Sequence, residues 1–487
     1  MDAKVFDAVV IGGGPGGYTA AIRLAQLGKS VLCVERESFG GVCLNWGCIP
    51  SKALITAAGM LEKIRGADAM GITSGEPRID FARTQAWKDG IVEKLTTNVA
   101  SLVRSNGGTI VHGAARMIDP KTVEVTAEDG STERYTAREA VVLATGARVA
   151  TIPGFEPDGE RILTAREGQA LTSVPESLLV VGGGVIGLEL GMMYQKLGTR
   201  LTVVEWTDAL LPGVDPDLVR VVERRIKARG GEVLTGAKAL GWEMRGDAAA
   251  VTVEHGGATR VMEAEKVLVA VGFTANSGGM GLEEIGVTLD ARGHVAVDDR
   301  MRTSVPGVYA VGDVTGAPYL AHKAFREAEL AAEVIAGRNV RRDWLAMPAA
   351  VFTDPEVATV GITEAEAKAR GHSVRVGKFP FGASGRALSL SDTEGFIKIV
   401  ADEDRVLGVG IVGPEASELI AEAAFGLEMM ASPEDFALTI HTHPTLSEGV
   451  MEAFKHALGE AVHIMNRPGA ARAAAAAHPP RPVAVAA

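Results

Sequence analysis

Apolar and polar positions follow the same order in two stretches of the chain. Residues 5–35 (VFDAVVIGGGPGGYTAAIRLAQLGKSVLCVE) form a short apolar run, a glycine turn, a stretch with helical period and a second apolar run that ends in an acid. This order predicts a strand, a helix and a parallel strand, the unit of a dinucleotide-binding fold. Residues 178–205 (LLVVGGGVIGLELGMMYQKLGTRLTVVE) repeat it.

The three glycines of the turn and the acid that ends the second strand are offset between the two copies by a constant 170 residues. In the G-x-G-x-x-G turn, the first glycine allows a tight turn, the second lets the backbone approach a pyrophosphate and the third lets helix and strand pack closely. The helix N-terminus adds N–H donors and partial positive charge. Glycine turns of ordinary α/β packing are the alternative interpretation. The predicted binding residues are Gly12, Gly14, Gly17 and Glu35 in the first copy and Gly182, Gly184, Gly187 and Glu205 in the second.

The acid at the end of each second strand indicates which dinucleotides bind. Glu35 and Glu205 are expected to accept hydrogen bonds from a ribose, and a carboxylate at Glu205 repels the extra phosphate of NADP, so the second copy is predicted to bind NAD. Two dinucleotides, one of them a nicotinamide, suggest hydride exchange with a flavin. The strand-like run at 141–147 follows its glycines at a greater distance than the run at 267–273, which indicates an insertion in the first copy.

The rest of the chain predicts a different architecture. Residues 291–332 indicate a strand, a turn with Asp313 and a helix from near Tyr319. Residues 346–465 form a separate α+β pattern, with strand-like FIKIV and VLGVGIVG and helices from Ser417 and Ser447. The last residues are rich in Ala and Pro and predict a disordered tail. The fold class is therefore α/β, with two Rossmann-like dinucleotide-binding domains and a C-terminal α+β domain.

Charge and composition exclude several classes of protein. The chain has 61 Asp and Glu against 49 Lys and Arg and lacks a basic run, so nucleic acid is not an expected partner. No apolar run approaches the roughly 18 residues of a membrane span, so no membrane association is expected. The first predicted strand begins within five residues of Met1, which leaves no room for a targeting segment. We expect a soluble, cytoplasmic protein.

The inserted segment contains Cys43 and Cys48, two of the three cysteines. A chain of 487 residues does not need a covalent staple, and so few cysteines are typical of intracellular proteins with reduced thiols. Zinc and iron–sulfur sites need about four ligands, and no further ligand spacing accompanies the pair, so no metal site is predicted. A reversible disulfide fits better, because Gly47 permits closure and Cys48 lies near the start of a predicted helix, which favours its thiolate.

Several motifs together resemble the flavoprotein disulfide reductases, and most closely the dihydrolipoamide dehydrogenase family, whose cysteine pattern is GGTCLNVGCIPSK. The matching motifs are GGVCLNWGCIPSK (40–52), both glycine turns, ATG (144–146), YAVGD (309–313) and HTHPTLSE (441–448). The resemblance covers residues 3 to 465. It implies oxidation of protein-bound dihydrolipoamide with FAD and NAD, in a homodimer. The domains are then FAD-binding (1–148), NAD-binding (149–272), central (273–345), dimerisation (346–465) and tail (466–487).

The resemblance also implies roles for single residues. Cys43 is the interchange thiol that reacts with substrate, and Cys48 is the charge-transfer thiol beside the flavin. Lys52 and Glu189 form an ion pair beside the flavin ring, and Asp313 holds the ribityl chain. A helix that begins around Leu320 and Ala321 points its N-terminus at the ring. The remaining cofactor-binding residues are expected to be Thr145, Gly146 and Gly272.

Disulfide exchange also needs a base, because the attacking species is a thiolate. His443 directly precedes Pro444 and lies five residues before Glu448, which can orient the imidazole. In the family the base is the histidine before the proline, which makes His441 the less favoured candidate. The family's C-terminal domain delivers this His and Glu to the cysteines of the other subunit. The expected partners are a second copy and the lipoyl-bearing acyltransferase of a 2-oxo acid dehydrogenase complex or a lipoyl carrier protein.

Other functions on the same scaffold are less favoured. Glutathione reductases use NADPH and have arginines where this chain has Glu205, and mercuric and large thioredoxin reductases carry a further redox pair, whereas no cysteine follows Cys48. A subunit that mainly docks on a 2-oxo acid dehydrogenase complex is an alternative of another class. Val42, Trp46 and Phe273 depart from the family pattern, which leaves substrate access and nicotinamide affinity open.

Overall fold

A computed structural model describes residues 4–466. These residues form two compact units. Unit 1 consists of 4–208 and Gly230–Asp343, and unit 2 consists of Ala209–Arg229 and 344–466. The finer predicted division, with boundaries at 148, 272 and 345, stays a prediction. The predicted tail lies outside the described residues except for Asn466.

The described chain contains both strands and helices. The strands are β1 (Lys4–Ile11), β2 (Val31–Glu35), β3 (Thr109–His112), β4 (Ala114–Met117), β5 (Thr122–Thr126), β6 (Thr132–Leu143), β7 (Ala147–Val149), β8 (Ile162–Leu163), β9 (Ser177–Val181), β10 (Arg200–Val204), β11 (Glu232–Leu234), β12 (Ala237–Arg245), β13 (Ala248–His255), β14 (Ala258–Ala264), β15 (Lys266–Val269), β16 (Phe273–Ala275), β17 (Val308–Ala310), β18 (Ala349–Val351), β19 (Glu356–Gly361), β20 (Arg375–Pro380), β21 (Phe396–Ala401) and β22 (Val406–Gly413). The helices are α1 (Pro15–Gln26), α2 (Gly41–Trp46), α3 (Cys48–Arg65), α4 (Phe81–Ser105), α5 (Ala165–Gly168), α6 (Val185–Lys196), α7 (Pro216–Ala228), α8 (Ala321–Ile335), α9 (Glu364–Ala369), α10 (Gly385–Leu390), α11 (Ala416–Glu428), α12 (Pro433–Leu438) and α13 (Glu448–Leu458). Short 3₁₀ turns cover Ala67–Met70, Gly312–Thr315 and Phe381–Ala383.

Unit 1 is built on two larger sheets, one mixed and one parallel, and a glycine turn follows β1 in the first and β9 in the second. The first has the strand order β3-β2-β1-β6-β5-β4, and β17 also pairs with β6. Its strands β3, β2, β1, β6 and β17 are parallel, whereas β5 and β4 are antiparallel to their neighbours. The second has the order β11-β10-β9-β15-β8 and is parallel throughout. Both predicted strand–helix–strand units, β1-α1-β2 and β9-α6-β10, are confirmed.

The apolar runs become central strands because both faces of a parallel sheet are covered. All five residues of β9 are buried, as are the last four of β1. Two smaller sheets, β12-β13-β14 and the pair β7-β16, complete unit 1 and are antiparallel. The helix predicted from near Tyr319 is α8, which begins two residues later, at Ala321.

Unit 2 is the predicted α+β architecture. Its sheet, β18-β19-β22-β21-β20, is antiparallel, and the predicted strands at FIKIV and VLGVGIVG are β21 and β22. Helices α11 and α13 begin within one residue of the predicted starts at Ser417 and Ser447. Helix α7 also belongs to this unit, where the buried Lys398 Nζ lies 2.7 Å from an Asp215 carboxylate oxygen. Within residues 4–466, no helix is long and apolar enough to cross a membrane.

Candidate active site

The first glycine of each predicted binding turn occupies a position that excludes a side chain. Gly12 has φ +105° and Gly182 has φ +109°, and a β-carbon at Gly12 would lie 2.3 Å from the Ala144 carbonyl oxygen. A β-carbon at Gly17 or Gly187 would come within 1.8 or 2.2 Å of the carbonyl oxygen of the first glycine. Only glycine fits at these four positions, and the close packing exposes backbone N–H groups at the helix start.

The two acids lie beside these turns, at the ends of the second strands. Glu35 accepts a hydrogen bond from the Gly13 N–H at 2.6 Å, and Glu205 accepts one from the Gly183 N–H, also at 2.6 Å. The second oxygen of Glu205 accepts from the backbone N–H and the hydroxyl of Thr207, both at 2.7 Å. Each carboxylate oxygen has two acceptor sites, so these bonds orient the acids and leave capacity for ribose hydroxyls.

Helices α1 and α6 follow the turns directly, with Gly14 and Gly184 as their N-cap residues, and no side chain caps either N-terminus. Space is open around the α-carbon of Gly184, where a β-carbon would have no heavy atom within 4 Å. Uncapped N–H groups and the positive end of the helix dipole suit a pyrophosphate. The residues at both turns therefore fit a bound dinucleotide.

The cysteines lie at a junction between two helices. Helix α2 contains Cys43 and ends at Trp46, and α3 begins at Cys48. Gly47 lies between them, where a β-carbon would be 2.8 Å from a backbone carbonyl oxygen. Both cysteines are partly buried and carry free thiols. The prediction that Cys48 lies near the start of a helix is confirmed, and α3 begins at Cys48 itself.

The two thiols have opposite acidities. The hydrogen bond to Cys48 raises the pKa of Cys43, and burial raises it further. The same hydrogen bond lowers the pKa of Cys48; burial opposes this shift and the charge of Lys52 reinforces it. When one thiol of the pair ionises, these shifts favour a Cys48 thiolate that accepts from the Cys43 thiol, and the helix start at Cys48 favours the same thiolate.

Lys52 and Glu189 form the predicted ion pair, with 2.8 Å between Nζ and Oε2. Lys52 lies one helical turn after Cys48 in α3, and Glu189 is buried in α6. The pair thus joins the cysteine helix to the helix that begins at the second glycine turn. It also keeps a cation near the Cys48 sulfur.

Asp313 lies in the turn Gly312–Thr315, and burial raises the pKa of its carboxyl group, opposed by the charge of Lys323. The buried Lys323 Nζ donates to the Gly316 carbonyl oxygen at 2.5 Å, and Glu327 accepts from the Gly312 N–H at 2.7 Å. Sequence reasoning missed Lys323 and Glu327, which hold both ends of this turn. The available signal was a Lys and a Glu four residues apart on the apolar face of α8.

The predicted cofactor residues Thr145 and Gly146, after β6, and Gly272, after β15, differ in their surroundings. The Thr145 hydroxyl donates to the Asn276 carbonyl oxygen at 2.7 Å, and the Asn276 amide donates back to the Thr145 carbonyl oxygen at 3.0 Å. Gly146 and Gly272 have φ +66° and +114°, and a β-carbon at either would meet open space. Thr145 thus ties the start of β7 to the end of β16, while the two glycines leave room beside them.

Two of the departures from the family pattern have partners within unit 1. The guanidinium of Arg166 lies 4.0 Å from the centre of the Trp46 ring and 2.6 Å from a Glu37 carboxylate oxygen. Phe273 contacts Tyr319, with 5.3 Å between ring centres. Both aromatic side chains are therefore packed against defined neighbours.

His443 and Glu448 are together in unit 2. The Nδ1 of His443 lies 2.9 Å from Glu448 Oε1, and the other carboxylate oxygen accepts from the Thr445 N–H at 2.7 Å. Burial raises the pKa of Glu448, but the hydrogen bonds from Thr445 and His443 outweigh it and lower that pKa overall. The His443 side chain is 80% exposed, which leaves its Nε2 accessible.

His441 has a different environment. Its Nε2 lies 2.9 Å from a Glu422 carboxylate oxygen and its Nδ1 lies 3.0 Å from the Thr439 carbonyl oxygen. Both partners are acceptors, so both ring nitrogens must carry protons. The hydrogen bond to Glu422 raises the pKa of His441 in agreement, and its side chain is only 7% exposed. An imidazolium with both N–H groups engaged is unsuited to accept a proton.

No cluster of three or more His, Cys, Asp or Glu side chains in residues 4–466 is arranged to hold a metal ion. The cysteine site in particular has the ion pair Lys52–Glu189 as its charged neighbour. The described residues of unit 1 provide two thiols, an ion pair and two glycine turns that fit a dinucleotide. The His–Glu pair of unit 2 provides an imidazole whose Nε2 is accessible.

The chain is similar to curated enzymes along nearly its whole length. The dihydrolipoyl dehydrogenase of Haloferax volcanii is 48% identical over 466 residues, which cover 95% of this chain and 98% of the relative. Those of Thermus scotoductus and Geobacillus stearothermophilus are each 46% identical, over 95% of this chain and 100% and 98% of the relatives.

Two solved structures are also similar to the chain along nearly its whole length. The crystal structure of LpdA from Mycobacterium tuberculosis is 32% identical, with a TM-score of 0.86 over 92% of this chain and 99% of that one. The Cu(II) complex of the flavoprotein disulfide reductase RclA from Escherichia coli is 25% identical, with a TM-score of 0.83 over 93% and 99%. The predicted fold class is confirmed.

Two family profiles divide the chain between them. Residues 6–328 match the pyridine nucleotide-disulphide oxidoreductase family, and residues 347–454 match its dimerisation domain, which supports a homodimer. Together with the relatives of similar length, these matches confirm the resemblance seen in the sequence. The chain belongs to the pyridine nucleotide-disulphide oxidoreductase family.

Proposed function

We propose that this chain is a dihydrolipoyl dehydrogenase, which oxidises a dihydrolipoyl dithiol to the cyclic disulfide. The observation that carries the proposal is the placement of two free thiols at one helix junction, with Cys43 in α2, Cys48 at the start of α3 and the Lys52–Glu189 ion pair one turn further along. Cys43 is a hydrogen-bond donor with a raised pKa, and Cys48 has a lowered pKa beside the Lys52 ammonium. A dithiol substrate needs such a pair, in which one sulfur exchanges with substrate and the other leaves as a stable thiolate.

The proposed cofactors are FAD at the first glycine turn and NAD at the second. When bound, FAD accepts an electron pair from the cysteine dithiol and NAD accepts it in turn. The chain's own residues bind and orient them: Glu35 and Glu205 at the riboses, and the helix starts at Gly14 and Gly184 at the pyrophosphates. Asp313 and the start of α8, at Ala321, are proposed to hold the flavin end, with Thr145, Gly146 and Gly272 lining the space between.

The proposed exchange begins from the Cys43–Cys48 disulfide. A substrate thiolate attacks the Cys43 sulfur, the bond between the two cysteines breaks, and Cys48 leaves as a thiolate stabilised by Lys52 and the start of α3. The second substrate thiol then displaces Cys43 from the mixed disulfide. The cyclic disulfide is released, one proton remains on Cys43 and the other has passed to a base.

We propose His443 as that base and Glu448 as the residue that orients it. The Glu448 carboxylate can only accept a hydrogen bond, so the Nδ1 of His443 carries a proton and the exposed Nε2 is the acceptor in the neutral imidazole. After proton transfer the carboxylate stabilises the imidazolium. His441 serves this role less well, because Glu422 and Thr439 engage both of its ring nitrogens.

A homodimer is part of the proposal, with His443 and Glu448 acting on the cysteines of the partner subunit. Unit 2 exposes large apolar side chains, among them Phe425 at 70% and Ile440 at 96%, and Ile440 is three residues from His443. Exposed apolar groups of this size are typical of a subunit interface. The interface would therefore also bring the His–Glu pair to a second copy.

The proposed substrate is a lipoyl group on another chain, the acyltransferase of a 2-oxo acid dehydrogenase complex or a lipoyl carrier protein. The net charge of −12 suits a basic docking domain on that partner. We also infer a cytoplasmic location, because three cysteines in 487 residues fit a reducing compartment.

A steady-state comparison tests the function. Purified protein is assayed with dihydrolipoamide and NAD, and in parallel with glutathione disulfide and NADPH. We expect turnover with the first pair and little with the second. Preference for the second pair, or the absence of turnover of free dihydrolipoamide by a flavin-loaded protein, would replace the proposal with a glutathione-reductase-like activity or a docking role.

A further inference from the structure

Unit 1 contains a hydrogen-bonded chain of three titratable side chains that the proposed mechanism does not use. The Nδ1 of His294 lies 2.9 Å from Asp290 Oδ2, and its Nε2 lies 2.8 Å from the hydroxyl oxygen of Tyr319. The His294 side chain is 9% exposed. We call these three residues the relay.

The direction of both hydrogen bonds follows from Asp290. The hydrogen bond from His294 lowers the pKa of this carboxyl group to about 2, with help from the backbone N–H groups of His294 and Arg292. An ionised carboxylate only accepts, so Nδ1 carries the proton; in the neutral imidazole Nε2 is then an acceptor and the Tyr319 hydroxyl must donate to it. The hydroxyl proton is thus committed to His294, and the tyrosine oxygen keeps its lone pairs for another donor.

The groups that face Tyr319 keep its hydroxyl protonated. Burial raises the pKa of Tyr319, and the charges of Asp313 and Asp290 raise it further, whereas Arg292 lowers it. Asp313 is the residue proposed to hold the flavin end of the cofactor. The charge of the Asp313 carboxylate therefore acts on the pKa of the Tyr319 hydroxyl.

The backbone holds the relay against the turn that contains Asp313. Asp290 Oδ1 accepts from the N–H groups of Arg292 at 2.8 Å and His294 at 2.9 Å. The His294 ring packs on Gly316, where a β-carbon would lie 3.5 Å from the ring, and the next residue after His294 donates its N–H to the Val314 carbonyl oxygen at 2.8 Å. The imidazole is consequently fixed at the turn Gly312–Thr315.

Tyr319 also lies between the segments proposed to bind the two cofactors. It precedes Leu320, the N-cap residue of α8, whose side chain makes no capping hydrogen bond. Its ring contacts Phe273, at 5.3 Å and an interplanar angle of 58°, and Phe273 directly follows the open Gly272. A single side chain therefore lies at the start of α8, contacts the strand after Gly272 and is joined through His294 to the turn that contains Asp313.

We propose that Tyr319 contacts bound FAD through its hydroxyl oxygen and its ring, and that His294 and Asp290 are positioning residues that act through it. This inference rests on the proposed cofactors of the chain. The relay would present the Tyr319 oxygen as an acceptor to a donor on the flavin or its ribityl chain. Phe273, at the start of β16, would pack against the Tyr319 ring and hold it in place.

The test is FAD binding, measured on protein stripped of flavin and titrated with FAD, with visible circular dichroism of the bound flavin as a second readout. Tyr319→Phe keeps the ring and removes one hydrogen bond, so we expect FAD binding to weaken about 5- to 10-fold. His294→Phe should cause a similar loss. The double variant should be no weaker than either single variant, because the two residues act as one unit. Tyr135→Phe, which removes a tyrosine hydroxyl bonded to Glu133 elsewhere in unit 1, is the matched control and should leave FAD binding unchanged.

Asp290→Asn separates positioning from simple packing. An Asn amide can donate to Nδ1, so both hydrogen bonds persist with their direction reversed, and Nε2 then donates to Tyr319. We expect a changed flavin dichroism spectrum with thermal unfolding close to that of the unmodified protein. An unchanged spectrum together with unchanged binding in Tyr319→Phe would overturn the relay.

The outcomes separate this inference from the proposed function. A protein that binds FAD and shows the coupled losses but turns over no dihydrolipoamide supports the relay and contradicts the function. A protein that turns over dihydrolipoamide while Tyr319→Phe binds FAD normally contradicts the relay alone. Independent, additive losses in Tyr319→Phe and His294→Phe would also reject it, because a relay requires coupling.

Discussion

Nδ1 of His443 lies 2.9 Å from Oε1 of Glu448, and the second oxygen of that carboxylate is fixed by the Thr445 N–H at 2.7 Å. The carboxylate therefore sets both the ring orientation and the tautomer of the imidazole. Glu448→Gln keeps the size of the side chain but removes its charge. We expect kcat for dihydrolipoamide oxidation to fall about 10- to 100-fold, since a proton acceptor loses the stabilisation of its charged form. Steady-state kinetics with NAD as acceptor measure this.

The neighbouring pair supplies the control for this variant. His441, two residues before His443, forms a similar contact with Glu422 of α11, at 2.9 Å. Glu422→Gln should retain most of the activity, and bound FAD should be equal in both variants. A greater loss in Glu422→Gln than in Glu448→Gln would point to His441 as the base.

The cysteine pair should be indispensable for lipoyl turnover and dispensable for flavin binding. Cys43→Ser and Cys48→Ser each remove one sulfur of the proposed disulfide, so we expect turnover to fall by about three orders of magnitude or more with FAD still bound. Cys33→Ala is the control, because Cys33 is fully buried in β2 and belongs to neither α2 nor α3. Normal lipoyl turnover in Cys43→Ser would contradict the assigned chemistry.

The acidity of Cys48 should depend on Lys52. The Cys43 hydrogen bond lowers the pKa of Cys48, and the Lys52 charge lowers it further, so the thiolate persists on the acidic side of its ordinary titration range. Lys52→Gln removes the cation, and the titration of the thiolate absorbance in reduced, flavin-free protein should then move to higher pH. Lys63→Gln, at an exposed position of the same helix, should leave it in place. A shift to lower pH in Lys52→Gln would contradict the electrostatic argument.

Substitution of the first glycine of either turn should weaken the binding of only the cofactor proposed for that turn. A β-carbon would lie 2.3 Å from a carbonyl oxygen at Gly12 and 2.4 Å from one at Gly182, both at positive φ. Gly12→Ala should therefore lose FAD, whereas Gly182→Ala should retain FAD and raise the KM for NAD at least about tenfold through backbone strain. Flavin absorbance and NAD kinetics measure the two effects, and each variant is the control for the other. Loss of FAD in Gly182→Ala would exchange the assignments.

Nicotinamide preference should depend on the charge of Glu205. This carboxylate accepts from Gly183 and Thr207 beside the second turn. Glu205→Gln removes the repulsion of the extra phosphate, so the ratio of kcat/KM for NADP to that for NAD should rise about tenfold. Glu35→Gln is the matched change at the first turn and should leave this ratio unaltered. An unchanged ratio in Glu205→Gln would show that another group selects the nicotinamide.

The sequence by itself determined the elements of this protein and the chemical identity of its site. A strand, a glycine turn and a helix are encoded within about 30 residues, because apolar period and the conformational freedom of glycine act locally. For this reason β1-α1-β2, β9-α6-β10 and the helix start at Cys48 could be predicted. The pairing of His443 with Glu448 was also accessible, since the two are five residues apart.

Only the tertiary structure decided which distant side chains meet. Lys323 and Glu327 hold the ends of the Asp313 turn, Arg166 covers Trp46, and the contact of His294 with Tyr319 depends on how a loop packs against the start of α8. Helix α7 follows the second strand–helix–strand unit, β9-α6-β10, along the chain, yet it belongs to unit 2. A local pattern can mark a side chain as buried, as it does for Lys323 and Glu327 in α8, but it does not encode the partner. The partners depend on the packing of whole elements, in which burial and hydrogen bonding join residues of unrelated sequence position.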